Sequence, residues 1–95
     1  MKIIWTREAI NNLLEIEEFI SQNNPVKATE FIDYIIEQSE FLKETPNIGR
    51  VVPEISKSNI RELIVKNYRI VYQQIDNEIL IITLFEAHRQ LPLNF

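Results

Sequence analysis

Three side chains in the second half of the chain have the chemistry for a functional site. Arg69 lies inside "NYRIVYQ", residues 67–73, flanked by Tyr68 and Tyr72 in a run that otherwise reads as a strand. A guanidinium in such a place either pairs with a carboxylate across the sheet or offers its fork of N–H donors to a phosphate. His88 and Arg89 follow the apolar run "EILIITLF", with Glu86 two residues before the histidine. An imidazole oriented by a carboxylate can move a proton near neutral pH. The chain has one histidine and no cysteine, so no metal centre is expected. It also has no Gly-rich phosphate loop and no nucleophile elbow, so no cofactor is expected.

The segments around these residues decide which chemistry is open to Arg69. "IRELIV", "YRIVYQQI" and "EILIITLF" read as three strands, joined through the short separators "KN" and "DN". A two-residue turn at Lys66-Asn67 sets Val65 opposite Tyr68, Leu63 opposite Ile70 and Arg61 opposite Tyr72, all on one face. Glu62, Ile64, Arg69 and Val71 then share the other face, with Glu62 a diagonal neighbour of Arg69. If exposed, that ion pair is worth at most about 1 kcal/mol.

Upstream, "MKIIW" reads as a short strand and Thr6 as the cap of a helix with Glu8 in its first turn. Ala9, Leu13, Ile16 and Ile20 recur at helical spacing, and Ile10 widens the stripe. Asn24-Pro25 opens a second helix with Ala28, Phe31, Ile35 and Leu42 on its inner side. "TPNIGRVVPE" breaks the periodicity and reads as a turn and extended connector. "EILIITLF" is apolar on both faces, as in a central strand covered twice or a partner interface. The expected fold is α+β, in the order β-α-α-β-β-β: a helical hairpin on a small, mainly antiparallel sheet, one domain over residues 1–95.

Composition fits a small soluble domain, with 45% hydrophobic and 25% charged residues. The net charge of −4 gives no overall basic signal of a nucleic-acid binder. Charge is uneven: residues 1–45 carry nine acids and four bases, residues 46–95 five acids and six bases. The acids of the first part fall mainly on the outer helix faces. The N-terminus lacks a signal-peptide core, no run approaches the roughly 18 apolar residues of a membrane span, and the cytoplasm is the expected compartment.

"PNIGRVVPE", then "NIRELIVKNYRIVYQ", then "EILIITLFEAHRQLP", together resemble the RelE/ParE family of toxins from bacterial type II toxin–antitoxin pairs. The resemblance covers nearly the whole chain. It implies a growth-inhibiting toxin, of a kind tied to plasmid stabilisation, that is neutralised by a cognate antitoxin laid across the sheet and helix grooves. When free, the toxin could form a homodimer. Arg61, Tyr68 and Tyr72, which share a face, are the expected partner-binding residues.

RelE-like members cleave mRNA on the ribosome, whereas ParE-like members inhibit DNA gyrase. In the first branch Arg69 and Arg89 match arginines at the scissile phosphate, with His88 a candidate for proton transfer. That branch also carries two lysines where this chain has Ile60 and Glu62, and a C-terminal tyrosine where it has Phe95. These departures favour the ParE-like inhibitor. The alternatives are a metal-independent endoribonuclease and a degenerate member that only binds antitoxin.

Overall fold

The computed structural model describes residues 1–91; Phe95 lies outside them. The elements run β1 (Lys2–Trp5), α1 (Arg7–Ser21), α2 (Pro25–Glu40) with a 3₁₀ turn at Phe41–Lys43, β2 (Arg50–Val51), β3 (Ile60–Val65), β4 (Tyr68–Ile75) and β5 (Glu78–Glu86). The sheet has the order β1-β5-β4-β3-β2, with β1 parallel to β5 and every other pair antiparallel. Two helices on one side of a mixed sheet are the expected α+β fold.

Local chemistry places the helix starts. The Thr6 hydroxyl accepts the Ala9 N–H at 3.0 Å and donates to the Ile82 carbonyl at 2.8 Å, so one side chain caps α1 and ties it to β5. Asn24 caps α2 by accepting the Lys27 N–H at 3.0 Å, with Pro25 at the first helical position. The β3–β4 register is the one a two-residue turn dictates: Val65 faces Tyr68, Leu63 faces Ile70 and Arg61 faces Tyr72. Lys66 and Asp76 take the positive φ at the two hairpin turns without glycine.

The main core lies between the helices and the sheet, around Ala9, Leu13, Ile35, Leu42, Ile70, Tyr72, Ile79, Ile81 and Leu84. A second, smaller cluster of Val52, Ile60 and Val71 sits on the opposite face, packed by Ile55, Phe85 and Leu91.

Three details differ from the reading of the sequence. The connector contains β2, in which Arg50 pairs with Glu62 and Val51 with Arg61, so the sheet has five strands. Two residues are too short a run for any periodicity to reveal. Ile10 does not widen the inner stripe of α1; it is 45% exposed, because its position on the wheel lies outside the arc that meets the sheet.

The third is an irregularity in β5, which lies between β1 and β4 as a strand apolar on both faces suggests. Val71 pairs with Thr83 but Tyr72 with Ile81, which leaves Ile82 as an extra residue in β5. This bulge shifts the side-chain alternation by one. Ile79 and Ile81 reach the main core before it and Leu84 after it, while Phe85 reaches the second cluster. A strand that changes phase shows no clean alternation, hence its uniformly apolar sequence.

Candidate functional site

Arg69 is only 5% exposed. It projects from β4 onto the face away from the helices, with its guanidinium carbon 4.9 Å from the centre of the Phe85 ring. Its Nε donates to Glu62 Oε1 at 2.6 Å, and Nη2 lies 2.6 Å from the same oxygen. Glu54, in the loop after β2, takes the other edge of the fork: Nη1 donates to Oε2 at 3.0 Å and Nη2 to Oε1 at 2.8 Å. Nη1 also donates to the Arg89 carbonyl at 2.9 Å. Of the five N–H donors of a guanidinium, four make hydrogen bonds within the protein, and Nη2 adds an ionic contact to Glu62.

Glu62, 1% exposed, is the centre of the arrangement. Besides Arg69 it accepts from Arg50 Nε on β2 at 2.5 Å. Two cations thus donate hydrogen bonds to this buried carboxylate and offset part of the cost of taking it out of water. The Glu54 carboxyl is lowered from 4.5 to about 2, chiefly by the hydrogen bonds from Arg69. The same bonds raise the pKa of Arg69. Glu54 Oε2 also accepts the Leu91 N–H at 3.1 Å, which brings the segment after β5 into the network.

The expected cross-strand pair is therefore present, but it is buried and has four members rather than two. Arg50 and Glu54 were not visible beforehand. Both lie in a stretch without periodicity, and Glu54, 15 positions before Arg69, sits in a loop that no strand register places. The only hint is the "PE" of "VVPE", a rigid turn that could aim a carboxylate.

The other candidates occupy three different settings. The Arg89 side chain is 65% exposed and its Nη2 lies 3.5 Å from Glu86 Oε1. His88 is exposed as well, with Nδ1 3.5 Å from Glu86 Oε2. The structure thus groups Glu86, His88 and Arg89 at the surface, whereas the Arg69 guanidinium is turned inward. Tyr72 is fully buried; its hydroxyl donates to the Pro46 carbonyl at 2.7 Å and accepts the Gly49 N–H at 3.0 Å. Burial pushes its pKa up. Arg61, half-buried, donates through Nη1 to the Gly49 carbonyl at 2.9 Å. These two side chains hold the approach to β2.

Tyr68 packs edge-on against Phe31 at 5.4 Å and has its pKa raised, first by burial and then by Glu86. It lines an open groove of about 470 Å³ between α1 and the β4–β5 end of the sheet, with Ile16, Phe19, Leu84, Glu86 and Arg89. A second depression continues along α1 past Asn12, Glu8 and Arg7, and Arg89 borders both. Asn12 sits at their junction, its Oδ1 accepting from Thr83 Oγ1 at 3.0 Å and from the Leu84 N–H at 3.1 Å. No helix among the described residues is long and apolar enough to cross a membrane.

Comparison with known proteins gives a consistent picture. The family described as ParE toxin of type II toxin–antitoxin system, parDE, matches residues 3–91. Among solved structures, one described as the chromosomal ParDE TA system from P. aeruginosa is similar at a TM-score of 0.77 and 24% identity. That match covers 93% of this chain and 97% of the other. No curated protein sequence matches the chain.

Proposed function

The chain belongs to the ParE family, the toxin component of type II toxin–antitoxin systems, and from that premise we propose that it inhibits a protein target such as DNA gyrase and is neutralised by a cognate antitoxin. One observation carries this reading: all three guanidinium nitrogens of Arg69 donate hydrogen bonds within the protein, to Glu62, Glu54 and the Arg89 carbonyl. A guanidinium must exchange those partners before it can stabilise a scissile phosphate, and the exchange would leave Glu62 buried with Arg50 alone. Tyr68 and Arg89, on the groove beside α1, are the residues this reading assigns to the working surface, with Arg61 a further partner contact. Addition of purified toxin to gyrase should stop supercoiling of relaxed plasmid. Full supercoiling at saturating toxin would remove gyrase as the target.

A ribosome-dependent nuclease is the second reading, and the exposed group of Glu86, His88 and Arg89 favours it. Under it His88→Ala and Arg89→Ala abolish cleavage of ribosome-bound mRNA while the fold persists. Unimpaired cleavage by both variants would dismiss that assignment.

A further inference from the structure

The segment after β5 is held to the rest of the protein by bonds of two kinds. Near the strand they are backbone to backbone: Ala87 N–H to the Asn67 carbonyl at 2.6 Å and Arg89 N–H to the Glu86 carbonyl at 3.0 Å. Farther out they pass through charged side chains. Arg69 Nη1 holds the Arg89 carbonyl at 2.9 Å, and Glu54 Oε2 holds the Leu91 N–H at 3.1 Å. Arg69 is itself clamped between Glu54 and Glu62 and cannot swing away without leaving the buried Glu62 with Arg50 alone. A single rigid guanidinium thus fixes one end of the segment, and the carboxylate bound to it fixes the other. The Arg89 side chain leaves from the Cα next to the first of these anchors, into solvent at the border of both grooves along α1.

We infer that Glu54 is a positioning residue: through Arg69 and the Leu91 amide it anchors Arg89–Leu91, and so sets the Arg89 guanidinium where the toxin meets its target. The inference rests on the reading that Arg89 belongs to the working surface. Glu54 itself touches no target; its role passes entirely through residues 89–91. Replacing its carboxylate by an amide removes the charge that makes these bonds strong, while Glu62 and Arg50 keep the buried part of the network paired.

The test uses the full chain as wild type, Glu54→Gln, Arg89→Gln and the double variant. Amide exchange at Leu91 should be about ten-fold faster in Glu54→Gln, as expected when a charge-assisted bond is weakened. Ile70, in the core of the sheet, should remain strongly protected in the variant, which shows that the fold is intact. In gyrase inhibition, Glu54→Gln and Arg89→Gln should each raise the half-inhibitory concentration, and the double variant should be no weaker than Arg89→Gln alone. A merely stabilising Glu54 would give effects that multiply in the double variant, and that result overturns the inference. So does unchanged exchange at Leu91. If wild-type toxin leaves gyrase untouched, the target reading fails, while exchange at Leu91 still decides whether Glu54 anchors the segment.

Discussion

The two faces of the sheet are built on opposite principles. Toward the helices, Ile70, Tyr72, Ile79, Ile81 and Leu84 meet Leu13, Ile35 and Leu42 in a layer held by area removed from water. On the other face the same strands bury Glu62 and Arg69 under a loop and the segment after β5, with Val52, Ile60 and Val71 beside them. The first face is forgiving, since any side chain of similar volume restores most of the burial. The second depends on identity, because removing one charge strands another. Beyond the ladder pair of Arg50 and Glu62, it joins groups that no ladder pairs: Glu54, Arg69 and the Arg89–Leu91 backbone. The apolar face makes the domain cohere, and the ionic face fixes the layout of its loops.

Substitutions can break that contrast or sharpen it. The largest loss is expected for Glu62→Ala, at about 3–5 kcal/mol, since Arg69 stays buried with part of its fork unpaired. Denaturant unfolding measures it, and a loss below 1 kcal/mol would mean the network relaxes into water. Arg69→Ala should cost a similar amount, so loss of toxicity in that variant has to be read beside its stability. Replacing both, Glu62→Leu with Arg69→Met, should recover most of the loss, because buried pairs add little beyond their apolar equivalents. The double variant should also free the Arg89 backbone.

Next comes Gly49→Ala. A Cβ there would meet the Glu62 carbonyl oxygen and the Tyr72 hydroxyl, both at 2.6 Å. Displacing either should cost about 1–3 kcal/mol by the same measurement. On the forgiving face, Ile70→Val should cost only about 0.5–1.5 kcal/mol with the melting transition still cooperative. The smallest effect is expected from pH. The Glu54 carboxyl is held at about 2 against an ordinary 4.5, so its contribution is complete above 4.5 and disappears as pH falls through about 2. In Glu54→Gln the slope of stability against pH across that window should be shallower; an identical slope would show that Arg69 does not favour the charged carboxylate.

The apolar face was largely legible in the sequence. The stripes of α1 and α2, the caps at Thr6 and Asn24 and the register fixed at Lys66-Asn67 are local properties, carried by periodicity and turn length. The ionic face was legible only where it inherits that register, in the diagonal from Glu62 to Arg69. Whether the pair is buried depends on what lies over it, and its cover comes from the loop around Val52–Ile55 and from Leu91. Glu54 belongs to that loop and has no periodic neighbour to betray it. Tyr72 and Tyr68 illustrate the same limit. They are flanking aromatics in one strand, yet one is sealed under Gly49 and the other lines the groove.

The parallel pairing of β1 with β5 has a consequence in time. Lys2 lies beside Glu78, and the Thr6 hydroxyl bonds a carbonyl 76 residues further along the chain. At a synthesis rate of about 5–20 residues per second, about 4–15 s separate the appearance of the two partners on the ribosome. Throughout that interval the helical hairpin can form from local contacts, but Ile3, Trp5 and Leu13 have no sheet to cover them. Of the described strands, the last made is the one that receives the first. The nascent chain therefore assembles its groove along α1 only as synthesis reaches β5, so the surface assigned to its partners comes into being late and all at once.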